Sequence, residues 1–390
     1  MKLNKKYIFN ILLVLALTFV AMYFSLKDDY REALAAFARM NPLNLILVLC
    51  WGLIFTAVWG MAYQVLGRKY QKKYTLLEGI VVAFVGNFFA GITPSATGGQ
   101  FGQIYVLKKQ GISYSDGASL LWADFIIYQT SMMIYVTILF ALRFTHYVNL
   151  SAWFWIVFAG YIVNLIVIII LYTIAIFPNF YLKLVDWLAG LLIKIKFFKK
   201  REATLLKTKV TIKNFTKEIK SLSEDKPMIG KCMLINTLRL TLHFSLPFVV
   251  ARGIGINIGL NQLVDVMALS SFVTMANSFI PLPGASGGTE VVFSLLFRRM
   301  FGVLTGAVLL LWRISSYYIP MISGALVFII FKNRNDRLKD EKEQAEAAAG
   351  TEIKVTAEVT EESSETKTDQ KQDPDPDSEV HERVPEIQPA

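Results

Sequence analysis

Three features of this 390-residue chain predict an all-α polytopic membrane protein, with about six full spans and two re-entrant hairpins forming an inverted repeat. The first is its apolar runs. Residues 7–26, 43–66 and 152–177 carry almost no charge, and each is long enough to cross a hydrocarbon core about 30 Å thick. The second is composition, with 54% hydrophobic residues and a mean hydropathy of +0.46, above the roughly 45–50% apolar content of soluble domains. The third is a doubled hexad. Residues 94–99 read PSATGG and residues 283–288 read PGASGG, two instances of P-x-A-[S/T]-G-G set 189 positions apart. A Gly/Pro break at corresponding places in two hydrophobic halves points to a midplane binding site between repeats.

The elements follow from charge and length. Lys2, Lys5 and Lys6 place the N-terminus inside. The span 7–26 is longer than the roughly 7–15 residues of a signal-peptide core, and no small-x-small site follows it closely. Residues 27–42 then form an outside loop with three bases and three acids. Span 43–66 returns to a basic loop carrying Arg68, Lys69, Lys72 and Lys73. The piece 76–92 runs into the first hexad, and Gly99 is too close to Lys108 for a second crossing. The chain is therefore expected to enter from the cytoplasm, break at 93–99 and return to the same side. Spans follow at 117–142, 152–177 and 229–251. The insertion 178–228 begins with an amphipathic stretch, 180–198, expected to lie on the interface with lysines toward the headgroups. Residues 199–228 are expected to be a cytoplasmic helix. From outside, 261–281 enters, the second hexad breaks it, and 290–297 leads back to Arg298 and Arg299. The last span, 303–331, ends at Lys332 and Arg334, which puts both termini in the cytoplasm. Three crossings separate the hairpins, and an odd number sets their mouths on opposite faces.

Residues 1–335 thus form the membrane domain, and 336–390 form a tail. From residue 340 onward there are 16 acids and 5 bases, so the first 339 residues carry a net +21. The tail is too polar to order itself. The bases of the remainder cluster in loops beside spans, which suits an anionic cytoplasmic leaflet and speaks against nucleic acid.

Proline stops a helix and glycine lets backbone approach closely. Thr97 and Ser286 are expected to cap the half-helices that begin at the glycine pairs. Such N-termini present N–H groups and a positive dipole end, which favours a phosphate headgroup. Non-helical backbone at membrane depth must line a cavity or be buried in protein. The cavity residues are therefore Asn87, Pro94, Thr97, Gly98, Gly99 and Gln100 on one side. On the other they are Asn277, Pro283, Ser286, Gly287, Gly288 and Glu290. The competing structural role for the glycines is tight helix–helix contact.

Intramembrane charges complete the set, because they face cavities or pair. Arg239 shares a helical face with Asn236 and His243, Arg313 with Ser316, Tyr317 and Pro320, and Asp124 with Tyr128 and Ser131. Arg313 is expected to pair with Asp124 or Glu290, or to bind phosphate as Arg239 would. Glu78 and Asp265 sit near segment ends and read as interfacial. Cys50 and Cys232 read as small apolar residues. No P-loop, dinucleotide fingerprint, nucleophile elbow or H-E-x-x-H occurs. No cofactor, metal or catalytic residue is predicted.

The segments GNFFAGITPSATGGQFGQIYVLKKQGIS (86–113), NSFIPLPGASGGTEVVFSLLF (277–297) and WRISSYYIPMISG (312–324) carry a resemblance. The chain resembles, over about residues 1–335, the lysylphosphatidylglycerol synthase transmembrane family, also catalogued as flippase-like. In bacterial multiple peptide resistance factors a similar domain is fused to a synthase that transfers lysine from lysyl-tRNA to phosphatidylglycerol. The membrane domain is implicated in flipping the product. The acidic tail stands where that synthase would begin, so the resemblance implies the flippase half alone, in a bacterial cytoplasmic membrane. It places Pro94, Gly98, Gly99, Pro283, Gly287, Gly288, Glu290 and Arg313 around the central cavity. The expected partner is a membrane phospholipid. Two alternatives are a phosphatidylglycerol lysyltransferase, whose only basic donor surface would be 199–231, and a scaffold for a separate synthase.

Overall fold

The computed structural model describes residues 30–93, 96–148, 153–193, 224–277, 280 and 282–337, with single positions between 210 and 221. The expected span 7–26, the tail beyond Arg337, most of 194–223, and Pro94 lie outside the described residues. Those described are helical, with no strand among them.

The helices are α1 (Tyr30–Arg39), α2 (Pro42–Gly67), α3 (Leu76–Gly91), α4 (Gly98–Lys109), α5 (Tyr114–Val148), α6 (Trp153–Ile176), α7 (Pro178–Ile193), α8 (Lys226–Gly253), α9 (Leu263–Asn277) and α10 (Gly288–Phe301). The last, α11, starts as Thr305–Arg313, passes through one π turn at Ile314–Tyr318 and continues to residue 337. Local signals set the starts. Asn41 Oδ1 accepts from Leu43 N ahead of Pro42, Thr75 and Glu78 form a reciprocal capping box, and Asp225 caps Met228 N ahead of α8. Inside α8, Pro247 removes one N–H, and Trp51 Nε1 donates to the nearby Leu242 carbonyl at 2.7 Å.

Four helical runs are long and apolar enough to cross a membrane: α2, Tyr114–Leu142, α8 and Gly288–Arg337. A fifth candidate pairs Phe158–Ile174 with Pro178–Trp187 across a 104° bend. That bend sends α7 off sideways with Phe180 and Trp187 exposed. The run Gly288–Arg337 is not one rod. Gly302 adopts φ 56, Phe293 stacks on Trp312 at 4.8 Å, and Glu290 meets Arg313, so α10 folds back along α11. The outside loop expected at 27–42 instead contains α1, whose Ala36 is buried and which packs against α11.

Helices α3 and α4 form the first hairpin, and α9 and α10 the second. The open ends of α3 and α4 are tied together, since Tyr74 OH donates to Gln110 Oε1 at 2.6 Å and Gln110 Nε2 donates to the Glu78 carbonyl at 3.0 Å. Burial, with the Glu78 carboxylate second, pushes the Tyr74 phenol up, so it stays a donor.

Helix α11 serves as a ruler for both hairpins. Gly324 abuts Phe84 and Phe88, while Gly91 abuts Met321 and accepts a hydrogen bond from Tyr317. Helix α3 therefore runs antiparallel to α11 and ends level with Tyr317. Helix α10 starts one turn away, beside Arg313, and runs toward the other end of α11. From this shared level α4 and α10 run in opposite directions, so the hairpins meet tip to tip, and the turn at 283–285 packs on α3.

Helix α2 is the spine of the first half. It lies antiparallel to α3, Gly60 facing Gly79 and Ile80 so closely that a Cβ at either glycine would collide. One core gathers Tyr63, Val82, Leu107 and Leu120 under the first hairpin, and a second gathers Phe244, Phe272, Phe293 and Trp312 under the other.

Candidate functional site

The two hexads share a backbone signature. Among the described residues, two non-glycine positions have positive φ: Ala96 at 55° and Ala285 at 49°. They occupy the third position of each hexad. Left-handed alanine costs about 1–2 kcal/mol, and strain of this kind persists where surrounding structure holds it and function uses it.

What holds the second break is explicit. Arg313 Nη2 donates to the Gly284 carbonyl at 2.6 Å and to Ser286 Oγ at 3.2 Å. Arg313 Nε stands 2.9 Å from Glu290 Oε1, an ion pair without hydrogen-bond alignment. Glu290 Oε2 accepts from Gly287 N at 2.7 Å. Both side chains are buried. The Tyr317 ring lies under the Arg313 guanidinium at 4.5 Å and touches the Cα side of Gly284. Its hydroxyl donates to Gly91 O at 2.8 Å. Tyr317 therefore joins the two tips directly.

The first break is held more lightly. Thr93 Oγ1 accepts from Gly98 N at 2.8 Å and donates to Phe89 O. Thr97 and Gln100 are exposed at the tip. Gly98, Gly99 and Gly102 pack on Thr93, Ala90 and Phe89, so the close-contact role of glycine applies here. In the second hexad Gly288 packs on Ile280. Gly284 (φ 59) and Gly287 (φ 89) are required for conformation.

The capping expectation is corrected. Thr97 makes no side-chain cap, and Ser286 Oγ takes its hydrogen bond from Arg313. The terminal N–H groups go instead to Thr93 and Glu290, because these side chains, one turn from the break, can turn back onto it. Asn87 donates to Thr56 Oγ1 at 3.0 Å, and Asn277 accepts from Thr289 Oγ1 at 2.8 Å. Both asparagines thus stitch helices at the level of the tips. Pro283 opens the turn Pro283–Ala285.

A second cluster lies one to two turns along α2. Asp124 is buried, and its Oδ2 accepts from Trp59 Nε1 at 3.1 Å and Tyr63 OH at 3.0 Å. Gln103 Nε2 donates to Tyr63 OH at 2.8 Å. The Arg239 guanidinium rests between the faces of Trp59 (4.1 Å) and Tyr128 (4.7 Å). No hydrogen bond or ion pair to a described residue holds it. His243 is edge-on to Phe55 at 5.1 Å.

Of the sequence-predicted residues, the structure therefore joins Ser286, Gly287, Glu290, Arg313 and Tyr317 in one group, and Asp124 with Arg239 in another. Arg313 pairs with Glu290 rather than Asp124. Sequence reasoning passed over Thr93, Gln103, Trp59 and Tyr63. The four-residue spacing of Trp59 and Tyr63 on α2 was the one signal that could have found that face.

The family described as lysylphosphatidylglycerol synthase TM region matches residues 10–324. A UPF0104 membrane protein of Archaeoglobus fulgidus is 23% identical over 306 residues, covering 74% of this chain and 86% of that protein. No solved structure matches. The matched stretch takes in both hexads, both hairpins, Arg239 and Arg313, and this chain belongs to the lysylphosphatidylglycerol synthase TM-region family of membrane proteins.

Proposed function

We propose that the protein is a lipid translocase of the cytoplasmic membrane. It moves a charged phospholipid, such as lysylphosphatidylglycerol, between leaflets, with both termini in the cytoplasm and both hairpins re-entrant. The headgroup passes between the hairpin tips while the acyl chains stay in lipid. One observation carries this reading: two equally strained breaks meet at Tyr317, and their half-helices run to opposite ends of α11. That is the arrangement of transporters built from inverted repeats, whose broken helices turn N-termini toward an anionic group.

The second break supplies a trigger. A phosphate arriving at Arg313 replaces Glu290 as its anion. Glu290 then loses the partner that keeps it on Gly287 N, and the turn is free to rearrange. Arg239, resting between the faces of Trp59 and Tyr128, has donors to offer a phosphate as well.

The test is leaflet redistribution of a fluorescent lysyl-phospholipid in liposomes bearing the purified protein. Gly99→Leu forces a side chain between α4 and α3, where even a Cβ would stand 3.1 Å from Ala90 Cβ and Gly86 O. Redistribution is expected to fall to the protein-free rate while expression stays normal. Unchanged redistribution would sink the model of passage between the tips.

A further inference from the structure

Two parallel helices leave two buried oxygens at one level without a donor. Helices α5 and α8 run in the same direction, since Tyr128 lies under Arg239 while Tyr135, further along, meets Thr241 at 2.9 Å and Phe244. In that register Asp124, one turn before Tyr128, stands level with Asn236, three residues before Arg239. Both are buried. Asp124 Oδ1 and Asn236 Oδ1 each lack a hydrogen-bond donor. Asn236 cannot exchange roles, because its Nδ2 donates to the Cys232 carbonyl at 3.0 Å and so fixes Oδ1 as the outward atom. A packed interface with two such acceptors is an expensive arrangement.

One proton removes both orphans, by turning Asp124 Oδ1 from an acceptor into a donor. A metal cation would add a second positive charge beside Arg239, which already lies within electrostatic reach of Asp124. We propose that Asp124 carries a proton in this conformation, shared toward Asn236. We propose also that loss of the proton draws Arg239 off Trp59 and Tyr128 to pair with Asp124.

The surroundings fit a two-position switch. From α2 the groups facing Asp124 are Trp59 and Tyr63, with Gln103 of α4 behind Tyr63. From α8 they are Arg239 and the Cys232 thiol, with Asp225 two turns toward the N-terminus and His243 one turn beyond Arg239. On α5 itself the neighbour is Tyr128. Helix α6 brings no charged residue, and its Asn164 accepts from Gln129. Arg239 is thus the fixed charge of the cluster. With Asp124 ionised, the pair is neutral. With Asp124 protonated, the Arg239 charge rests on the faces of Trp59 and Tyr128, a state that an arriving anion stabilises further.

The phosphate of the lipid restores neutrality, so the protonated site takes up lipid and gives it up as the proton leaves. The O–H bond forms on Asp124 Oδ1 with a proton from water at one face. It breaks to water at the other, and nothing is oxidised or reduced. This coupling rests on the translocase reading, whereas the protonated carboxyl does not.

The experiment keeps the two apart. The infrared spectrum of the full chain, in a detergent without ester carbonyls at pH 7, is compared between wild type and Asp124→Asn. The wild type is expected to show a protonated-carboxyl C=O band above the amide bands that the variant lacks. If the variant loses only carboxylate bands, the proton site is overturned. If Asp124→Asn fails to fold, Asn236→Leu serves. Its band is expected to move because the acid has lost its acceptor, and an unmoved band overturns the sharing. In liposomes loaded with a pH dye, wild-type lipid movement is expected to acidify the receiving lumen. Asp124→Asn should abolish that proton flux. Lipid movement by wild type without proton flux overturns the coupling. A carboxyl band with no movement of any lipid overturns the translocase reading and leaves the proton site standing.

Discussion

Glu290 holds Arg313 with one oxygen and the start of α10 with the other, so its substitutions separate charge from shape. Glu290→Ala leaves a buried guanidinium without its counter-ion, which costs about 3–5 kcal/mol. Glu290→Gln retains an acceptor for Gly287 N and is expected to lose less. Thermal unfolding of the purified protein in detergent should rank wild type above Gln above Ala, and an Ala variant as stable as wild type would remove Glu290 from this role. Two glycines of the same turn should part company in the same assay. A Cβ at Gly287 meets nothing within 4 Å, so Gly287→Ala should cost backbone strain alone, about 1–3 kcal/mol for a γ-turn-like φ 89 and ψ −59. A Cβ at Gly284 runs into the Tyr317 ring, so Gly284→Ala should cost more and loosen Tyr317 from Gly91. The charged members of this group were legible, because Arg313 and Glu290 stand out in apolar sequence. Thr93 was not, since one threonine among many gives no sign that it will turn back onto Gly98. Nor was the left-handed backbone of Ala96 and Ala285, a conformation alanine normally avoids.

Close packing decides the elements. Helix α2 touches α11 where a Cβ at Gly52 would collide with the Ser315 carbonyl, and Ser315 Oγ donates to Val48 O. The π turn at Ile314–Tyr318 displaces that face by one residue, a device found often at functional sites. Gly52→Ala is expected to push α2 off α11 and lower the unfolding temperature. Gly230→Ala is its control: it lies inside α8 with nothing within 4 Å of the new Cβ. It should stabilise by about 0.5–1 kcal/mol through helix propensity. Equal effects of the two would show that the α2–α11 contact is slack. Most helices were legible from hydropathy, and the end of α6 ahead of the 104° bend from the amphipathic stretch that follows it. Helix α1 was hidden because ten residues of mixed charge read equally as loop. The Asp124–Arg239 cluster was only half legible. Each helix displayed its own polar face, but which faces would meet depended on the register of α5 and α8.

At the scale of the whole molecule, odd parity and tip-to-tip contact make the same claim by independent routes. The expected number of crossings sets the proposed hairpin mouths on opposite faces, and contacts along α11 send α4 and α10 to opposite ends of that helix. The decisive measurement is made across a bilayer. With Cys50 and Cys232 replaced, single cysteines are placed at Lys109, at the mouth of the first hairpin, and at Asn261, beside the mouth of the second; both positions are exposed. An impermeant maleimide added to intact cells is expected to label Asn261→Cys and spare Lys109→Cys, and inverted vesicles should reverse the pattern. In the proposed topology a hairpin whose two ends are tied by Tyr74, Gln110 and Glu78 presents both ends to one compartment, while a partner pointing the other way along α11 presents its ends to the other. Labelling of both cysteines from one side would mean that the chain crosses at a hexad. The repeats would then be parallel, and alternating access between their tips would have no structural basis.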